Sequence, residues 1–200
     1  MSAEPYSIYF FGNGASRRGL DPARFRLLGL TVGFNAGYRE HEFDLIASGD
    51  PKISEEIRDN WPRGWIRRDH KRNRDSVYFT TGPGHKPCED LRESEKVCEL
   101  FKPETGAGWL TGSAAVYAAC KMFKPTEIWL FGFDMDKTHL YRDEHPNHRD
   151  KDNSSIWNRI FKDHPQVRFV RVGPQDRSTP FLDCEHMTYE VFHASQRCSA

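Results

Sequence analysis

Residues 105–136, TGAGWLTGSAAVYAACKMFKPTEIWLFGFDMD, constrain the fold more than any other stretch of the chain. Thr111, Gly112 and Ser113 stand where a helix would begin, and the run from Ala114 to Phe123 is rich in strong helix formers. Pro125 stops the helix, and an apolar run from Ile128 to Phe131 ends in Gly132-Phe133-Asp134-Met135-Asp136. A helix start built of small and hydroxyl residues turns unpaired backbone N–H groups outward, which suits a phosphate. A buried strand ending in glycine and two acids puts polar groups at the carboxyl edge of a sheet, where open α/β folds bind ligands. The helix and the strand are consecutive, so both signals can converge on one nucleotide.

The rest of the chain repeats the pattern. The aromatic and β-branched run 6–11 precedes Gly12-Asn13-Gly14-Ala15-Ser16, a strand followed by a turn. Asp21-Pro22 caps a short helix through Leu28, and 30–34 is a second strand broken by Asn35-Ala36-Gly37. A third strand, 43–47, ends at Ser48-Gly49-Asp50-Pro51 and leads into a helix over 52–60. Short strands are predicted at 65–66 and 77–80, and an amphipathic helix over 89–101. A His-rich loop, 139–152, is followed by a helix over 154–162, a strand over 167–172 and a helix over 186–196. Alternating strands and helices without repeats indicate one three-layer α/β domain over residues 1–200 with a mostly parallel, Rossmann-like sheet. Residues 136–152 are its candidate lid or active-site loop.

Charge narrows the partners. Lys plus Arg and Asp plus Glu number 29 each, so no net field recruits nucleic acid or an anionic membrane. Arg63, Arg67, Arg68, Lys71, Arg72 and Arg74 do form a basic run beside Trp61 and Trp65, a pattern that can grip a single strand. With balanced total charge, a solvated loop is the preferred reading, and nucleic acid is not an expected partner. No apolar run is long enough to span a bilayer, and the N-terminus lacks the basic and apolar regions of a signal peptide. A cytoplasmic location is expected, and a homo-oligomer is compatible with it. Five cysteines, Cys88, Cys98, Cys120, Cys184 and Cys198, include no C-x-x-C pair, so free thiols are expected.

Several residues carry candidate chemistry. The Gly12–Ser16 turn has glycines for close backbone approach and a serine donor, although it matches neither G-x-G-x-x-G nor a Walker motif, and ordinary turns use the same residues. Asp134 and Asp136 resemble paired acids that hold a divalent ion against a diphosphate; capping of a local turn by Asp134 is the plainer alternative. His139, His145 and His148 lie among Asp143, Glu144 and Asp150. A general base needs one such histidine with a carboxylate to set its tautomer, and it is preferred over structural zinc because no cysteine lies nearby; a solvated polar loop is the plainer alternative. Cys184 and His186 are too close in sequence to converge readily as a catalytic pair.

Together these residues resemble the bacterial sialyltransferases related to the Campylobacter lipooligosaccharide enzymes, and a wider group including pterin-diphosphokinase-like proteins. Gly12-Asn13-Gly14-Ala15-Ser16 is similar to that family's Gly-Asn-Gly-Pro-Ser turn, and Asn35 to its Cys-Asn turn. Thr111-Gly112-Ser113 with its helix and Gly132-Phe133-Asp134 is similar to Thr-Ser-Gly, helix, Gly-Ile-Asp. His148, followed by a helix, a strand and Pro174, has nearly the spacing that follows the family's catalytic histidine. The resemblance spans about residues 6–174 and implies a glycosyltransferase A-like variant of the fold with a short lid.

It also implies metal-independent, inverting transfer from a CMP-linked sugar to an acceptor whose identity stays open. Gly12, Asn13, Gly14, Ser16, Asn35, Thr111, Gly112, Ser113 and Asp134 would then surround the nucleotide. His148 would be the base, with His145 and the phosphate tyrosine Tyr141 beside it. Asp136 departs from the pattern, because it stands about where the family has another phosphate tyrosine and would repel a phosphate. The alternative is a metal-dependent diphosphokinase or nucleoside-diphosphate-sugar enzyme holding Mg²⁺ or Mn²⁺ on Asp134 and Asp136.

Overall fold

Short runs of aromatic and β-branched residues form strands because such side chains pack well on a pleated surface. In the computed structural model, which describes residues 6–48, 53, 56, 78–81, 110–134, 154–174 and 184–197, they are β1 (Ser7–Phe11), β2 (Leu30–Phe34), β3 (Leu45–Ser48), β4 (Tyr78–Thr81), β5 (Glu127–Phe131), β6 (Arg168–Val172) and β7 (Glu185–Met187). The described α-helices are α1 (Thr111–Phe123), α2 (Ser154–Asp163) and α3 (Tyr189–Arg197). Among the described residues the strands form one sheet in the order β4-β3-β2-β1-β5-β6-β7. All are parallel except β4, which runs antiparallel to β3 at the edge. The expected α/β fold with a mostly parallel sheet is therefore present.

β1 is central. Ile8 lies between Leu30 and Ile128 in register, and Phe11 between Gly33 and Phe131. From β1 the chain builds outward through β2 and β3, then returns to the other flank of β1 as β5 and continues through β6 and β7. Strand order thus reverses between β1 and β5. In open α/β sheets the crevice that takes a ligand lies outside the carboxyl ends of the strands at such a reversal.

Period-two alternation divides the core. Ile8, Phe10, Val32, Phe34, Ile128 and Leu130 pack on one face with the alanine-rich side of α1 and with Trp157, Ile160 and Phe161 of α2. Tyr9, Phe11, Phe43, Trp129, Phe131 and Val172 pack on the other face with Phe25 and with Phe192 of α3. Helices cover both faces, so the strands read as continuous apolar runs rather than as alternating ones. Among the described residues no helix is long and apolar enough to cross a membrane.

Local differences from the sequence expectation have local causes. Asp21 does cap, accepting from Ala23 N–H at 3.0 Å, but the segment is a 3-10 turn, Pro22–Phe25, instead of a helix through Leu28. The predicted helix over 186–196 begins at Tyr189, because residues 185–187 are taken into the sheet as β7 beside Val170, Arg171 and Val172. Lys124 takes a left-handed φ of 47° and ends α1 one residue before Pro125. Ile53 and Glu56 are helical, in line with the helix expected over 52–60. Cys120 and Cys184 are free thiols, and burial pushes the Cys120 thiol up to about 12. The strand expected at 65–66, the basic run at 63–74, the helix expected at 89–101 and the loop at 136–152 lie outside the described residues.

Candidate functional site

The crevice is built from the first residues after β1 and β5. Gly12 N–H donates to Phe131 O at 2.7 Å, and Gly14 N–H to Gly132 O at 2.8 Å, so the strand pairing runs on into the turn. A Cβ on Gly12 would stand 2.4 Å from Gly132 O, and one on Gly14 would stand 2.5 Å from the Asp134 carboxyl carbon. Glycine is required here by the approach of two chain segments to each other.

Asp134 closes the junction. Its Oδ2 accepts the Ser16 backbone N–H at 2.7 Å, and its Oδ1 accepts the Ser16 hydroxyl. Three of the five N–H groups of Gly12–Ser16 and the serine hydroxyl are thereby directed to the β5 end. Tyr189, the first residue of α3, brings a buried hydroxyl beside this pair. Burial pushes its phenol up to about 12, against the pull of the neighbouring Ser16 hydroxyl.

Arg17, which no sequence pattern singled out, is the largest fully buried side chain in the junction. It is 1% exposed, and its Nε donates to Gly12 O. Its aliphatic stem lies against Gly132, which has a φ of 65°, and its Nη2 faces Gly37. A guanidinium this deeply placed can only be satisfied by several acceptors at once, which fixes the turn around it. Its charge also reaches His41, whose pKa is lowered first by burial and then by Arg17.

Asn13 is 8% exposed, and its Oδ1 is buried without a hydrogen-bond partner. An orphaned buried acceptor costs its desolvation, which a donor reaching it would offset. The neighbouring wall is the 3-10 segment Asn35–Arg39, which follows β2. Asn35 adopts a φ of 45°, a conformation that asparagine tolerates better than most residues, and its Oδ1 accepts from the Ser48 hydroxyl at 3.3 Å. Gly37 of the same segment faces Asn13 Oδ1 and Arg17.

The last wall is the start of α1. Leu110 precedes it without a side-chain cap, and no acid lies in the first turn. Ser113 is buried, and its hydroxyl donates backward to Leu110 O at 3.0 Å instead of capping. The N–H groups of Thr111, Gly112 and Ser113 precede the first intrahelical bond. Phe133 joins this wall to the others. Its ring is 3.2 Å from where a Cβ on Gly12 would be and 3.0 Å from where one on Gly112 would be. Edge-on contacts with Phe34 and Trp157 hold it there.

Gly12, Gly14, Ser16 and Asp134 are therefore brought together at the strand reversal, with Gly112 across the Phe133 ring from Gly12 and Thr111 and Ser113 beside Gly112; Asn13 faces Gly37, and Asn35, at the head of that segment, turns to Ser48 of β3. Asp136, Tyr141, His145 and His148 lie outside the described residues. Among the described residues no cluster of three or more His, Cys, Asp or Glu side chains could hold a metal. No family model, curated protein or solved structure matches this chain.

Proposed function

We propose that the chain is a sialyltransferase-like glycosyltransferase that moves a sugar from a nucleotide donor, most simply a CMP-linked one, to an acceptor hydroxyl. One observation carries this reading. Among the described residues, polar groups after β1 and β5 join at the reversal of strand order, flanked by the segment after β2 and the start of α1, and such a reversal is where a Rossmann-like sheet takes a nucleotide. The resemblance of the same residues to the sialyltransferase turns supplies the finer assignment, including the glycosyltransferase A-like variant of the fold.

In this mechanism the nucleotide lies across the crevice, with its phosphate toward the N–H groups at the start of α1. His148 takes the proton of the acceptor hydroxyl as that oxygen attacks the anomeric carbon. The bond from that carbon to the phosphate oxygen breaks, and CMP leaves with the electron pair. In this reading Tyr141 would assist the leaving phosphate and His145 would support the base. Donors aimed at the developing phosphate charge lower the barrier most when they are fixed in advance. The Asp134–Ser16 pair and buried Arg17 support such fixation.

The competing reading places Mg²⁺ or Mn²⁺ on Asp134 and Asp136 for diphosphate chemistry. Each Asp134 oxygen accepts one hydrogen bond from Ser16 and keeps a further lone pair, so this contact fits either reading.

A thermal-shift series with CMP, UDP, GDP and ATP, each with and without Mg²⁺, tests it. CMP is expected to raise the melting temperature without metal, as a ligand of the native state must. Stabilisation by ATP or a diphosphate only with Mg²⁺ selects the alternative instead. His148→Ala should lower turnover by about 10²- to 10⁴-fold, the usual contribution of a general base, with donor affinity nearly unchanged. Equal loss of binding and turnover removes His148 from that role.

A further inference from the structure

We propose that His164 makes the seam between α1 and α2 an acid-sensitive latch. His164 follows the last residue of α2 and is 4% exposed. Its backbone is pinned on both sides, the N–H donating to Phe161 O at 3.4 Å and the C=O accepting from Val167 N–H at 3.0 Å. The ring lies 5.4 Å from that of Tyr117 on α1, and its Nε2 is buried without a hydrogen-bond partner. Lys121, one turn further along α1, holds its Nζ 5.4 Å from the centre of the same Tyr117 ring.

A neutral imidazole fits this place as an apolar ring. An imidazolium does not, because a charged N–H would be buried with no acceptor. The charged groups acting on the ring from the two helices are Lys121 of α1, which opposes a second cation, and Asp163 of α2, which favours one. Asp163 is shared with Arg159, whose Nε is 3.4 Å from its Oδ2. Burial, reinforced by Lys121, therefore sets the balance against protonation in the closed seam.

The carboxyl end of α2 would welcome a cation once water can reach it. Acid is thus accommodated by parting His164 from Tyr117. Because the first turn of α1 carries Thr111, Gly112 and Ser113, the latch sets how firmly that wall of the crevice is held. It does so whatever ligand the crevice takes.

The test follows the full chain by NMR and amide hydrogen exchange from pH 8 to pH 5. In the wild type, His164 should titrate below pH 6.5, together with a change in the Tyr117 ring signals. Protection of α1 amides should fall by up to about tenfold per pH unit over the same range, the limit for one proton. His164→Phe keeps a ring in the seam and should remove that pH dependence. Lys121→Gln, on the exposed side, should move the His164 midpoint upward. An unchanged exchange profile in His164→Phe overturns the latch. So does a His164 midpoint at or above 6.5 with steady α1 protection, a measurement on the wild type that stands even if the phenylalanine variant does not fold.

Discussion

Gly14 shows how much of this molecule turns on single atoms. A methyl group there would meet the Asp134 carboxylate at 2.5 Å and Gly132 O at 2.6 Å, and neither neighbour is a loose side-chain end. Gly14→Ala should therefore cost about 2–3 kcal/mol, the upper range of overpacking, read as a lowered urea midpoint with an unchanged slope. Asp134→Ala should cost about 1–3 kcal/mol by stripping the Ser16 N–H and hydroxyl of their acceptor. Asp134→Asn keeps one acceptor and should cost less; equal losses in the two variants would show that charge, not acceptance, is what Ser16 needs. The turn at Gly12–Ser16 and the acid at 134 were each legible in the sequence. Their union was not, because the two partners are 118 residues apart and nothing local couples them. Arg17 was invisible for a related reason: a charged residue in a glycine-rich turn reads as solvated until tertiary structure closes over it.

At the scale of elements, the parts decided by local pattern were readable. β2 runs over Leu30–Phe34 as its apolar run requires, and α1 starts at Thr111, the first of the small residues that lead into its alanines. β7 was not readable, because Glu185-His186-Met187 has no strand pattern and exists as a strand through its pairing with β6. Elements are also fastened by buried polar groups that a pattern search passes over. Asp44 is 1% exposed, accepts from Thr31 N–H and hydroxyl at 2.8 Å each, and pairs with Arg26 Nε at 3.0 Å. It thereby ties β2 to the segment entering β3 and to the turn before β2. Asp44→Ala should lower stability by about 1–3 kcal/mol, the cost of leaving the buried Thr31 donors without an acceptor, while part-exposed Arg26 keeps Glu42. Thr31→Val removes one donor of the set and should cost about 1 kcal/mol. A double variant that costs the plain sum of the two would show that the groups do not act as one network.

At the scale of the whole molecule, strand order is what creates the crevice, and no local signal specifies it. Alternation predicted buried parallel strands, yet the placement of β5 against β1 depends on long-range pairing across the chain. The two flanks of the sheet carry their own fasteners. Toward one flank, Tyr38 and Arg39 both bond Glu56, and the Arg39 contact holds the Glu56 carboxyl down to about 2. Toward the other, Arg168 bonds Glu127 at 2.9 Å and Glu185 at 2.7 Å, joining β5, β6 and β7, and keeps the Glu185 carboxyl below its ordinary value. The sign of the pH dependence follows. For a carboxyl with a depressed folded pKa, the unfolded chain binds protons first, so its stabilisation is complete above about pH 4.5 and is lost as pH falls toward the folded value. Both pairs are partly exposed, so water and salt screen them and each contributes modestly. Urea midpoints should hold steady from pH 7 to 5 in His164→Phe, apart from a small contribution of His41 and His186, and then decline below pH 4.5. Arg168→Met should make that acid decline shallower, and 1 M NaCl should do the same in the parent protein. An acid limb equally steep in Arg168→Met would mean that the β5–β6–β7 clamp does not set the acid response of the fold.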